Sequence, residues 1–137
     1  MQSLLSPRYS LVIPVYLNAG SINDLVLACE DLDKSLKGHL EVVFVVDGSP
    51  DDSHARLQSL LPGAAFRSQL ILLSRNFGSF AAIREGMQHT RGDYIAVMAA
   101  DLQEPPQLVL EFFEKLEQGS CDVALGLREG RDAPLSS

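Results

Sequence analysis

Short apolar runs and amphipathic stretches alternate four times along this chain, and that alternation leaves few folds open. Residues 10–16, 40–46, 70–74 and the run from Tyr94 read as buried strands. After the first strand, Ile22, Leu25, Val26, Cys29, Leu32 and Leu36 recur at helical spacing until Gly38, and a second helix runs to about Leu61. A third helix, residues 79–90, carries Phe80, Ile83 and Met87 on one face, and a fourth follows Pro106 with Leu108, Val109, Phe112, Phe113 and Leu116 before Gly119. Residues 122–126 read as a fifth strand. Strands this apolar, separated by helices through short connections, predict an α/β domain: a parallel sheet wrapped by helices.

Right-handed crossovers set the ends of such strands along one rim, where open parallel sheets hold ligands. Tyr16, Asp47, Arg75 and Asp101 each follow a strand and therefore share that rim. Asp101 ends an apolar run, so its carboxylate is expected to be solvated, paired or metal-bound; the plainer alternative is a loop Asp that starts a helix. Pro14 donates no ladder hydrogen bond, so the backbone there is expected to turn away from the sheet at a crevice. Ser21 reads as an N-cap with Asp24 as its capping partner. Gly48-Ser49-Pro50 reads as a turn into a helix whose dipole Asp51 and Asp52 complement.

The 137 residues make one domain or part of one, and a net charge of −7 with scattered basic residues argues against a nucleic-acid partner. Cys29 and Cys121 lack metal spacing and read as buried reduced thiols of a cytosolic protein. His39, His54 and His89 show no metal spacing either. No run reaches the ~20 apolar residues that cross a bilayer. Residues 128–137 lose periodicity and are either a loose tail or the place where a longer protein was cut. A Gly-x-Gly-x-x-Gly after the first strand and a P-loop are both missing, so phosphates at this rim need another neutralising group. A divalent ion held by oxygen ligands is the alternative, and Asp101 and Gln103 offer two such ligands two residues apart.

Four motifs then stand in a telling order: Ile13-Pro14-Val15-Tyr16, Val46-Asp47-Gly48-Ser49-Pro50-Asp51, Ser74-Arg75-Asn76-Phe77-Gly78 and Asp101-Leu102-Gln103-Glu104-Pro105-Pro106. Together they resemble family 2 glycosyltransferases, above all the polyprenyl-phosphate branch that includes dolichyl-phosphate mannose synthases. Gly126-Leu127-Arg128 is similar to that branch's Gly-Ser-Arg segment. The resemblance covers roughly residues 8 to 131. It implies a GT-A fold, Rossmann-like with a mostly parallel sheet and helices on both faces, of which residues 1–137 are the N-terminal part. It also implies Mg²⁺ or Mn²⁺ and a UDP- or GDP-linked sugar donor.

Carried over by position, the resemblance places Pro14 and Tyr16 at the base and gives Asp47 a bond to base or ribose. Asp101 becomes the catalytic carboxylate and a metal ligand, Gln103 the amide ligand after it, and Arg128 a contact to phosphate. Ser49, Arg75 and Gly78 join the donor-binding set; for Arg75 the alternative is a surface charge paired with Glu85 or Asp93. Two departures stand out, since Ala99 and Val46 occupy positions where the branch usually has carboxylates. The implied function is transfer of a hexose to a polyprenyl phosphate at the cytosolic membrane face. The alternatives are transfer to a polysaccharide or protein hydroxyl, and a non-catalytic GT-A-like binding module. As part of a longer domain, the chain is expected to turn over weakly or not at all alone, and to self-associate.

Overall fold

The computed structural model describes residues 6–119. Strands β1 (Tyr9–Val15), β2 (Leu40–Asp47), β3 (Arg67–Leu73) and β4 (Tyr94–Val97) form one sheet in the order β3-β2-β1-β4, and every pairing is parallel. Helices α1 (Ile22–Ser35), α2 (Ser53–Leu60), α3 (Ser79–Met87) and α4 (Gln107–Glu117) fill the connections. The expected strand at residues 122–126, the tail, Cys121 and Arg128 lie outside the described residues.

Side chains alternate across each strand, so one sequence feeds two layers. Leu11, Ile13 and Val15 of β1 join Val42, Phe44 and Val46 of β2 in the larger core, which α1, α2 and α4 cover. Val12, Val43, Val45 and Val97 face the other way and meet only Ala82 and Ile83 of α3, with Ile71, Leu73 and Ile95 partly covered. Burying one such side chain stabilises by ~1.5–3 kcal/mol, so the three-helix face carries most of the stability. On the thinner face α3 lies very close to the sheet. A Cβ at Gly86 would stand 2.6 Å from Cγ1 of Val12 and 2.9 Å from Cγ2 of Val45.

Several local expectations are corrected. Pro14 stays in the sheet, paired with Val45. Helix α2 begins at Ser53, after Asp51 and Asp52, so Pro50 is a loop residue and not its first turn. Ser21 precedes α1 without capping it; its hydroxyl donates to the carbonyls of Asn18 and Ala100, which tie the loop after β4 to the start of α1. The strand at Tyr94 ends at Val97, and Asp101 follows a turn instead of terminating the strand directly. Cys29 is buried and unpaired as expected, with burial pushing its thiol far above the usual range.

Candidate functional site

Strand order runs outward from β1 through β2 to β3 and then jumps to β4 on the opposite side, so the reversal falls between β1 and β4. Pairing between those two strands ends at Val12 and Val97, whereas β1 continues beside β2 to Val15. The two strands part there, and a crevice opens at their C-terminal ends, the place such a reversal predicts. Pro14 sits at the parting. Val12 turns its carbonyl toward β4, accepting from the amide of Met98 at 3.1 Å. Residues 12 and 14 address the same neighbour in a strand, so the hydrogen that Pro14 lacks faces the crevice and costs the sheet no bond.

The crevice leads into a cavity of about 470 Å³. Pro14, Tyr16 and Asn18 line it from the β1 end, Asp47 and Asn76 from the next two loops, and Ala99 to Asp101 from the β4 end. Gly78, Ser79, Phe80 and Ile83 supply the α3 wall. Its charged lining groups are two carboxylates, Asp47 and Asp101, and no Lys or Arg of the described residues joins them.

Each loop is held by a distinct set of bonds. The carboxylate of Asp47 accepts from the amide of Phe77 at 2.8 Å and from that of Gly78 at 3.1 Å, and the residue is only 3% exposed. Gly48, at φ 62°, lies directly under the next loop: a Cβ there would be 2.2 Å from the carbonyl carbon of Arg75. Ser49 donates to Asp51 at 2.6 Å and accepts from the amide of Leu17 at 2.8 Å. Asp51 also accepts from the amides of Ala19 and Ser53, each at 3.1 Å. Burial alone would raise the Asp51 carboxyl, yet the Ser49 and Ser53 hydroxyls and these amides pull it down to about 2.

At the far side of the cavity Asp101 is half-buried, and its Oδ1 accepts from the amide of Gln103 at 3.2 Å. Leu102 takes a left-handed φ of 58° to make that turn. The second oxygen of Asp101 has no protein partner among the described residues, and the Gln103 side chain is exposed just beyond the cavity. A carboxylate and a nearby amide oxygen suit a hard divalent cation, which completes its shell with water and ligand oxygens. Among the described residues no group of three or more His, Cys, Asp and Glu converges, so a cation here rests on those two donors and on the ligand.

Of the residues singled out in the sequence, Pro14, Tyr16, Asp47, Gly78 and Asp101 line one cavity. Ser49 lies behind it, and Gln103 beside it. Arg75 does not line it: the guanidinium stacks over the ring of Phe77 at 4.2 Å. Pairing with Glu85 is not formed, because that carboxylate meets His89 at 3.2 Å. Arg128 falls outside the described residues. Sequence reasoning passed over Asn18, Ser79, Phe80 and Ile83, although a helix whose first turn follows a rim loop was a signal for the last three.

Comparison with known proteins bears on this arrangement. A family model described as Glycosyl transferase family 2 matches residues 10–135. An undecaprenyl-phosphate 4-deoxy-4-formamido-L-arabinose transferase of Pseudomonas savastanoi pv. phaseolicola is 38% identical over 122 residues, covering 89% of this chain and 36% of its own length. The crystal structure of TarS from S. aureus superposes with a TM-score of 0.66 at 19% identity, over 93% of this chain and 38% of TarS. The mannosyltransferase PcManGT of Pyrobaculum calidifontis, solved with GDP-Man and Mn²⁺, does so at 0.58 and 21%, over 76% of this chain and 34% of its own. The chain thus spans little more than a third of these proteins.

Proposed function

The chain belongs to glycosyl transferase family 2 and has the parallel-sheet core of the GT-A fold, and from that premise we propose that it binds the nucleotide-sugar donor for hexosyl transfer to a polyprenyl phosphate. The observation that carries this reading is the cavity at the strand reversal, which an aromatic side chain, Tyr16, and a half-buried carboxylate, Asp101, both line. Tyr16 is 41% exposed and lines the cavity together with Pro14, so its ring is available to stack on a base. A diphosphate lying toward Asp101 would meet two carboxylates and no lining cation. That is unfavourable unless Mg²⁺ or Mn²⁺ is bound, for which Asp101 and Gln103 are the donors.

A bound divalent cation supplies charge neutralisation for a leaving diphosphate. Asp101 fixes where that charge is met, and Phe80 and Ile83 of α3 give the cavity an apolar wall. Arg75 keeps the donor-binding role and Arg128 the phosphate role that their motifs imply. A polyprenyl phosphate is already anionic near neutral pH, so this acceptor requires no strong general base. The name of the Pseudomonas relative supports such an acceptor. No helix of the described residues is long and apolar enough to cross a membrane, so meeting a lipid at the cytosolic face is assigned to other parts of a full-length protein.

Calorimetric titration with UDP and with GDP, with and without Mn²⁺, tests the reading. The expected result is binding of one nucleotide that needs the metal and is lost in Asp101→Ala. Binding that ignores both metal and Asp101 counts against it. Self-association of this stretch alone is part of the proposal, and light scattering from a monomer at high concentration argues the reverse.

A further inference from the structure

We propose that the loop from Asp47 to Ser53 is a double latch: it shapes the cavity by holding the two loops on either side of it, and Asp47, Ser49, Asp51 and Ser53 act as positioning residues for those loops. This deepens the donor-binding reading and rests on it for its affinity arm, though not for its structural arm.

The first latch faces β3. Both Asp47 oxygens accept from consecutive amides, those of Phe77 and Gly78, and the side chain shows only 3% of its surface to the cavity it borders. Gly78 has φ 102° and precedes the first residue of α3, so these two bonds fix the entry of the helix whose Ser79 and Phe80 form the cavity wall. Gly48 lets the two loops touch backbone to backbone. A carboxylate so engaged holds in place a wall of the cavity that it also lines.

The second latch faces β1. Leu17 adopts φ 58°, an unfavourable conformation for a γ-branched side chain that exposes 57% of its surface and buries nothing in return. Such backbones persist only where neighbours over-determine them. Three consecutive amides do so here: Leu17 donates to Ser49, Asn18 to Ser53 at 3.3 Å, and Ala19 to Asp51. The amide of Tyr16 is taken by Asn18 at 2.8 Å, so the ring proposed as the base platform is carried on a loop with its whole backbone engaged. Asp51 accepts from both Ser49 and Ala19 and thereby links the set, and it also takes the amide of Ser53, the first residue of α2.

Amide hydrogen exchange by NMR in the ligand-free chain reads each latch separately. Ser49→Ala is expected to speed exchange of the Leu17 amide about tenfold and leave Phe77 and Gly78 as they were, and Asp47→Ala to do the converse, since one lost bond is worth about a factor of ten. Ser49→Thr, which keeps the hydroxyl, restores protection at Leu17. Equal acceleration at all these amides, or none, overturns the latch. The affinity arm uses the nucleotide that the wild type binds with Mn²⁺: Ser49→Ala is expected to weaken it about tenfold while metal dependence persists. A loosened loop with unchanged affinity overturns the coupling. A wild type that binds neither UDP nor GDP defeats the donor-binding reading alone, because the exchange pattern still decides the latch.

Discussion

Glu41 opens β2 and Asp47 closes it, and each accepts hydrogen bonds from the backbone of a loop at one end of α3. Glu41 is fully buried; it accepts from the Ser10 hydroxyl at 2.7 Å, from the Gln69 amide group at 3.3 Å and from the amide of Arg91. Ser10 in turn accepts from the amide of Gly92 at 2.8 Å. Gly92 leaves no room for a Cβ, which would lie 2.7 Å from the Ser10 oxygen, so this end is closed by packing. Asp47 holds Phe77 and Gly78 in the same fashion, but its end borders an open cavity. One strand therefore fastens, at both ends, the one helix that covers its thinner face among the described residues. The chemistry is shared, and what separates a sealed end from a site is whether β1 and β4 remain paired beside it.

That contrast is breakable. Glu41→Ala leaves the buried Ser10 hydroxyl and the part-buried Arg91 amide without that acceptor, and about 3 kcal/mol of stability is expected to go, read from urea unfolding. Nucleotide affinity of the folded protein should stay near the wild-type value, because the change lies at the far end of the sheet. Asp47→Ala is expected to cost less, about 1–2 kcal/mol, since water in the cavity can solvate the freed amides, yet it should weaken nucleotide binding. If the two variants lose stability and binding in the same proportion, the two ends are not functionally distinct.

The smallest effect belongs to Asp51 and depends on pH. Its folded value of about 2 lies below the ordinary carboxylate value of 3.8, so its stabilisation is complete above pH 4 and disappears as pH falls through about 2. Allowing for solvent screening, the gap between wild type and Asp51→Asn is about 1 kcal/mol at pH 5 and closes toward pH 2 in urea midpoints. A gap independent of pH would assign the loss to shape and not to charge.

The strands and helices were legible because their periodicities are local: Leu11, Ile13 and Val15 face one core and Val12 the other whatever the rest of the chain does. The convergence of Tyr16, Asp47 and Asp101 followed from the same pattern plus parallel topology. Hydroxyls and carboxylates at loop ends were harder. Ser21, Ser49 and Asp51 have capping chemistry that a sequence window interprets as service to the nearest helix. Each bonds a backbone group from a distant segment, namely Ala100, Leu17 and Ala19, and Asp51 serves its nearest helix as well through the amide of Ser53. Which partner wins depends on which buried backbone groups lack one, and that is settled only after the sheet has brought the loops together. The resting place of Arg75 has a related cause, because the choice between an acidic partner and the Phe77 ring depends on how the intervening loop bends.

The missing side chain at Gly86 gives the thinner layer a mechanical property. Helix α3 behaves as a stiff rod that rests on Val12 and Val45 near its C-terminal end and presents Phe80 and Ile83 to the cavity near the other. Its seat runs from Gly86 back through Ala82 and Ile83, so an atom added at Gly86 has to lift the helix or displace Val12 and Val45. The wall that Phe80 and Ile83 give the cavity would shift with the helix, although Gly86 itself does not line the cavity.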